Sequence, residues 1–333
     1  MKQLGTKKNI TDLINTYSRE SGIEPAFIEK DIYVVKVLNV ISGINYVDLK
    51  IVFSGGTCLS KAYNKIQRFS EDIDFRIHTE KTFTRQERKN FCDFILNKLS
   101  NIPDCKIIKN SIQKGNENKF LSFDMEYEKL FEGTTSLRPN IKVEFTFENL
   151  VLPPEKSTVK SFLTDYLDDL PLVNIDCIQP KEVIANKFSA LMWRVHIKDR
   201  TKPMHTKEND PTIMRHLHDI AALKSELLNH EFTDLLEHSF NKDRTRGGIP
   251  EDTILIEFAQ MTLEKLTTPT GYMKLGRGFN AGKEPFPMYA YLTEYLEFVD
   301  SMCYAKSDEV ITFEKAIESF KNIIDFIKNR QNS

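Results

Sequence analysis

Ile51-Val-Phe-Ser-Gly-Gly-Thr-Cys-Leu-Ser-Lys-Ala-Tyr63, followed by Arg68-Phe-Ser-Glu-Asp-Ile-Asp-Phe75, decides how this chain is read. An apolar strand runs into two glycines and then into a helix beginning near Thr57. Gly55 and Gly56 allow a tight turn and let an anion approach the backbone closely. The N–H groups at a helix start, aided by the helix dipole, favour a phosphate there. Lys61 lies one helical turn after Thr57, a spacing that places it to face the same phosphates. Asp72 and Asp74 then alternate with Ile73 and Phe75, so period-two geometry puts both carboxylates on one strand face.

Two carboxylates held side by side repel each other unless a cation sits between them. Mg²⁺ (or Mn²⁺) prefers carboxylate and phosphate oxygens, which makes the pair a natural seat for an NTP–metal complex. Two such ions in an in-line displacement activate an attacking hydroxyl and stabilise a leaving pyrophosphate. A third carboxylate fits the same logic. In Ile141-Lys-Val-Glu-Phe145, Lys142 and Glu144 share one face while Ile141, Val143 and Phe145 point to the core, so Glu144 is a candidate third metal ligand from a neighbouring strand. A lone Gly-Gly is usually only a turn and a lone Asp-x-Asp usually a solvated strand face; their conjunction in this order is the specific signal.

Working outward, Ile10, Leu13, Ile14 and Tyr17, then Ile28, Ile32, Val35 and Leu38, recur at helical spacing. Lys50–Phe53, Ile73–Phe75, Leu121–Met125 and Ile141–Phe147 read as strands, and Arg85–Leu99 as an amphipathic helix between them. Pro153-Pro154 reads as a linker, because paired prolines continue neither kind of element. Beyond it the helical candidates are Pro180–His196, Thr212–Asn229, Asp252–Leu266, Met288–Cys303 and Thr312–Asn329, with Thr268–Pro287 as a long loop. The expected fold is α/β (α+β): a mixed-sheet catalytic core with N-terminal helices over residues 1–152, then a mainly α-helical domain over 153–333 that completes the active-site cleft.

The 333 residues, 40% hydrophobic and 28% charged, suit a soluble globular protein with a sizeable core. The first residues, Met1 to Tyr17, carry charge and no apolar run of signal-peptide length. No stretch approaches the ~20 apolar residues that span a bilayer. The five cysteines, Cys58, Cys92, Cys105, Cys177 and Cys303, form no CxxC pair and read as reduced, cytoplasmic thiols. The seven histidines include a cluster, His205, His216 and His218, without zinc-type spacing to a cysteine. Phosphate-loop and nucleophile-elbow motifs are absent. A net charge of −2 exerts no global pull on nucleic acid. Local basic runs exist at Arg194–Lys202, at Lys242–Arg246, and at Lys274, Arg277 and Lys283. Together they offer a grip on RNA phosphates, with Trp193 or Tyr272 for base stacking.

These residues resemble the DNA polymerase β-like nucleotidyltransferase superfamily, and more closely the AbiEii/AbiGii toxin family of AbiE-type toxin–antitoxin systems. The hallmark is Gly55-Gly56-Thr57-Cys58-Leu59-Ser60-Lys61, then Arg68-Phe69-Ser70-Glu71-Asp72-Ile73-Asp74. Ile28-Glu29-Lys30-Asp31 is similar to the family's Glu-Lys-Asp helix, Pro180–Leu191 to its lysine helix, and His218-Asp219-Ile220 to its last motif. The resemblance implies a metal-dependent nucleotidyltransferase that moves NMP from an NTP donor to an acceptor hydroxyl. Asp72 and Asp74 would be catalytic and metal-binding. Gly55, Gly56, Thr57, Lys61 and Ser70 would hold the nucleotide, Lys187 would contact the triphosphate, and Asp219 would support the site. It further implies toxin activity countered by a separate antitoxin, with RNA, a tRNA 3′ end, as the acceptor. Two alternatives stand beside this reading: a protein or small-molecule hydroxyl as acceptor, and a nucleotide-binding module without catalysis. The intact Asp-x-Asp argues against the last.

Overall fold

The computed structural model describes residues 7–133, 137–167, 170–223, 230–273, 286–305 and 308–331. The chain divides into two compact units, residues 1–180 and 181–333. Among the described residues no helix is long and apolar enough to cross a membrane.

The first unit is built on a mixed sheet. Its strands are β1 (Lys50–Ser54), β2 (Asp72–His78), β3 (Cys105–Ile107), β4 (Gln113–Gly115), β5 (Phe120–Tyr127), β6 (Ile141–Phe147), β7 (Glu155–Val159) and β8 (Val173–Cys177). The order is β3-β5-β6-β2-β1-β8-β7, with β4 pairing β5. β2 runs antiparallel to β1 and parallel to β6, which makes it central. Its burial alternates from Asp72 onward, with Ile73, Phe75 and Ile77 inside. β6 does the same through Ile141, Val143 and Phe145, as its alternation predicts. Phe75 stacks on Phe145 at 4.9 Å between ring centroids, and Phe91 of a helix meets Phe145 edge-on at 6.3 Å. Aromatic pairs of this kind add to their area burial.

The helices of this unit are α1 (Lys7–Ser21), α2 (Pro25–Ser42), the short α3 (Gly55–Lys61) and α4 (Arg85–Leu99). α2 begins with Pro25 at its first turn, where no N–H is lost to the helix, and it is buried along most of its length. α4 starts at a capping box: the Thr84 side chain accepts from the Glu87 N–H while Glu87 reaches back to the Thr84 N–H. Its bounds match the amphipathic pattern.

β7 and β8 belong to this sheet, so the expected boundary at residue 152 falls inside the first unit rather than between the two. Pro153 and Pro154 lead into β7, an edge strand, where a missing N–H costs no interior ladder bond. β7 (Glu-Lys-Ser-Thr-Val) is polar and escapes a pattern reading, whereas β8 (Val-Asn-Ile-Asp-Cys) carries a period-two alternation from which a strand could have been read.

The second unit is helical: α5 (Pro180–Ile197), α6 (Met214–Ala222), α7 (His230–Gly247), α8 (Leu255–Thr267), α9 (Ala290–Met302) and α10 (Phe313–Gln331). α10 packs against α6, α8 and α9, and its Phe320 stacks on Phe188 of α5 at 4.6 Å. α7 was not anticipated, although Phe232, Leu235, Leu236 and Phe240 stand at helical spacing and are buried. The expected loop Thr268–Pro287 contains an antiparallel pair, β9 (Gly271–Met273) with β10 (Phe286–Met288). Lys274, Arg277 and Lys283 lie outside the described residues.

Candidate active site

β1 ends at Ser54 in extended conformation and the chain turns at Gly55, whose φ is +76°. A side chain there would be strained and would also overlap the Asp74 carboxylate. At Gly56 an added Cβ would stand 2.6 Å from Arg68 Nη2 and 2.8 Å from Ser70 Oγ. Both glycines are thus required by close approach: Gly55 lets the turn pack on Asp74, and Gly56 lets it pack on Arg68 and Ser70. Ser54 makes no side-chain cap on α3. Arg68 is buried and donates to the Phe69 carbonyl at 2.9 Å.

The register assembles the carboxylates. Asp74 pairs with Ser54 on β1 and with Glu144 on β6, and Glu144 pairs in turn with Ser122 on β5. Asp72 pairs with Lys142, which pairs with Asp124. Two polar rows therefore cross one face of the sheet, with the apolar partners on the other. Asp72, Asp74 and Glu144 share this face, as the alternation in each strand required, and the Gly55 turn sits against it.

Cations already hold two of these carboxylates. Arg138 Nη1 lies 3.0 Å from Asp72 Oδ1, and Lys142 Nζ lies 2.5 Å from Glu144 Oε1. Burial works to lower the Lys142 pKa, but the Glu144 and Asp72 charges outweigh it and the net shift is upward. Among the described residues no group of three His, Cys, Asp or Glu side chains forms a ready metal cage. Mg²⁺ does not need one: it is held by one or two carboxylates, with substrate phosphates and water completing an octahedron. The half-buried pair Asp72 and Asp74 on one strand face fits that requirement.

Behind this face stands a buried charge network that motif reading left without a role. Lys30 Nζ donates to Glu71 Oε2 and to the Arg138 carbonyl, both at 2.8 Å, with Lys30 and Glu71 almost fully buried. Burial lowers the Lys30 pKa, and the Glu71 charge opposes that shift. Glu29 accepts from the Leu130 and Phe131 N–H groups at 2.6 and 3.2 Å. Asp31 accepts from the Phe162 N–H at 2.8 Å and binds the Lys61 ammonium, which also lies 4.3 Å from the Phe162 ring centroid. Lys61 is therefore engaged with α2 and the Phe162 loop. The Thr57 hydroxyl donates to the Asp72 carbonyl and braces the start of β2. Arg138 carried no sequence signal: it precedes β6 in a loop without periodicity.

In the second unit, Lys187 of α5 and Asp219 of α6 are brought together, Nζ to Oδ2 at 2.8 Å, with Asp219 fully buried. The basic run after Trp193 is largely consumed internally. Arg194 pairs with Asp210, Lys198 donates to the Asp210 carbonyl at 3.0 Å, and Arg200 pairs with Glu294 at 2.9 Å. In the second run, Lys242 donates to Asn186, Arg244 to the Glu251 and Thr253 carbonyls, and Arg246 to Asp243. Trp193 is buried, with Arg194 and Lys207 over its ring, so the expected base-stacking role is corrected: the indole is part of the packing. The Tyr272 side chain lies outside the described residues.

Comparison with known proteins bears on the fold and the family. No curated protein sequence matches the chain. Among solved structures, the chain is similar to MenT4, a nucleotidyltransferase toxin from Mycobacterium tuberculosis H37Rv, with a TM-score of 0.53 and 17% identity over 94% of this chain and 98% of that one. At that identity the likeness speaks for the fold alone. The family model described as nucleotidyl transferase AbiEii toxin, type IV toxin–antitoxin system, matches residues 45–286, which spans the glycine turn, Asp72, Asp74, Glu144, Lys187 and Asp219. The chain belongs to the AbiEii family of nucleotidyltransferase toxins of type IV toxin–antitoxin systems.

Proposed function

We propose that this nucleotidyltransferase moves NMP from an NTP to an acceptor hydroxyl on RNA, a tRNA 3′ end, with Asp72 and Asp74 as the catalytic carboxylates. The observation that carries the reading is the packing of the Gly55 turn directly on the Asp74 carboxylate, beside Asp72 and Glu144 on one sheet face. The Gly55-Gly56 turn and Ser70 cradle the triphosphate, while Thr57 and Lys61 brace the turn through Asp72 and Asp31. Asp72 and Asp74, with Glu144 beside them, would hold Mg²⁺ or Mn²⁺, which would supply charge neutralisation for the reacting phosphates. The acceptor oxygen attacks the α-phosphorus, the bond to the β-phosphate breaks, and pyrophosphate leaves with the electron pair. The hydroxyl proton passes to a carboxylate of the Asp72–Asp74 pair. Within the second unit, Lys187, oriented by Asp219, is the proposed triphosphate contact. In this reading the protein acts in the cytoplasm and its activity is countered by a cognate antitoxin.

The internal pairing of the Arg194–Lys202 run supports a second acceptor class, a protein or small-molecule hydroxyl, since few of those cations remain to grip a phosphate backbone. One experiment separates the two. Purified protein is incubated with Mg²⁺, each α-³²P-labelled NTP in turn and total tRNA, beside an Asp72→Ala/Asp74→Ala control. Label on tRNA that requires the two carboxylates is the expected result. Metal-dependent NTP binding without tRNA labelling would shift the reading to the second class or to a nucleotide-binding module without catalysis.

A further inference from the structure

The buried network behind the carboxylates ends in a side chain that is neither buried nor idle. Arg138 is anchored at both backbone groups. Its N–H donates to Glu71 Oε2 at 2.8 Å, and its carbonyl accepts from Lys30 Nζ at 2.8 Å. Lys30 and Glu71 are 0% and 1% exposed, so this anchor is as rigid as the core around it. The guanidinium is 42% exposed and lies 3.0 Å from Asp72 Oδ1, with Glu71 Oε1 at 3.6 Å. A fixed backbone thus carries a partly exposed guanidinium, and its tip occupies one of the two Asp72 oxygens.

From this geometry we infer that Arg138 is a positioning and phosphate-binding residue that exchanges partners, holding Asp72 before the metal–nucleotide arrives and taking the incoming phosphate oxygens afterwards. The inference rests on the proposed metal–nucleotide site. Its chemistry follows from the two partners. A guanidinium and a divalent cation compete for the same carboxylate charge, so Arg138 on Asp72 Oδ1 opposes a metal at that carboxylate. A guanidinium is a planar fork suited equally to carboxylate and phosphate. Phosphate oxygens of a metal–nucleotide held at Asp72 would then lie within reach of the Arg138 guanidinium. The exchange also couples the two ligands: metal alone works against the Arg138–Asp72 pair, whereas metal with triphosphate would give the arginine a new partner. Lys142 on Glu144 does not share this design, because a lysine has no fork and its neighbour is held on the same strand.

The two ligands are read separately, Mn²⁺ by electron paramagnetic resonance of the free ion, and tripolyphosphate by calorimetry in the presence of Mg²⁺. Arg138→Ala removes the competitor, so it is expected to bind Mn²⁺ alone roughly fivefold more tightly than the unmutated chain. The same variant loses the phosphate contact and is expected to bind Mg²⁺–tripolyphosphate at least about tenfold more weakly. Arg138→Lys keeps the charge but not the fork. Its Mn²⁺ affinity should stay near that of the unmutated chain while its tripolyphosphate affinity falls, and it carries the test if the alanine variant fails to fold. A residue that merely supported the fold would weaken both ligands together. Equal or weaker Mn²⁺ binding by Arg138→Ala, or undiminished tripolyphosphate binding, overturns the exchange. Loss of the underlying site would look different: the unmutated chain would bind Mn²⁺ no better than Asp72→Ala/Asp74→Ala.

Discussion

Gly55 is where one atom decides both shape and chemistry. Its φ of +76° is costly for any residue with a Cβ, and the missing side chain is the room that the Asp74 carboxylate occupies. Gly55→Ala should therefore destabilise the first unit by about 1–3 kcal/mol. It should also lower label transfer by roughly 10²-fold, because a carboxylate displaced by even an ångström loses its alignment with the reacting phosphate. Chemical denaturation and the transfer assay measure the two effects. A variant stable to within error but inactive would assign Gly55 to the site alone. Near-native transfer would remove Asp74 from the reaction. The glycine pair was legible in the sequence as a turn. The residue that each glycine must accommodate was not, because the close approach is made by Arg68, Ser70 and Asp74 on later turns of chain.

At the scale of elements, α2 does more than pack. It carries Glu29, Lys30 and Asp31, which point in different directions around a stretch buried on all sides, to partners far along the chain. Sequence pattern identified the helix and the likeness of Glu29-Lys30-Asp31 to a family motif, yet periodicity cannot name Glu71 as the partner of Lys30. Lys30→Met takes the buried cation from Glu71 and should cost about 3–5 kcal/mol. The combined Lys30→Met/Glu71→Gln variant should cost less than the sum of its parts, since the uncompensated charge is gone. Denaturation midpoints of the three variants test this. Additive losses would show that Lys30 and Glu71 do not act as a pair. The same element scale explains α4 and β6, whose bounds were legible: a capping box starts one and strict alternation marks the other, whereas β2 runs from Asp72 to His78, beyond the expected Ile73–Phe75.

For the whole molecule, the ion pair between Lys187 and Asp219 joins two helices of the second unit. Lys187→Met should destabilise that unit by about 3–5 kcal/mol, because Asp219 is fully buried and its cation is removed. Urea unfolding followed through Trp193, the single tryptophan of the chain and buried in that unit, reports the loss. If stability stays within ~0.5 kcal/mol while transfer falls, Lys187 serves the nucleotide rather than the fold. The basic run after Trp193 belongs to the same scale. Read in sequence it is a patch; folded, Asp210 and Glu294 neutralise much of it. Net charge and runs of like residues do not reveal which acids the fold will bring against them.

What the sequence determined by itself was local: the strand–turn–helix at Gly55, the shared face of Asp72 and Asp74, and the matching face of Glu144. These follow from backbone periods of 2.0 and 3.6 residues, which act over a few neighbours. Only the tertiary structure decided that β6 lies parallel to β2 with Glu144 opposite Asp74, that β7 and β8 extend the same sheet, and that Arg138 reaches Asp72. Those partners are separated by tens of residues, and their pairing is set by closure of the whole chain around its core, which no local pattern encodes.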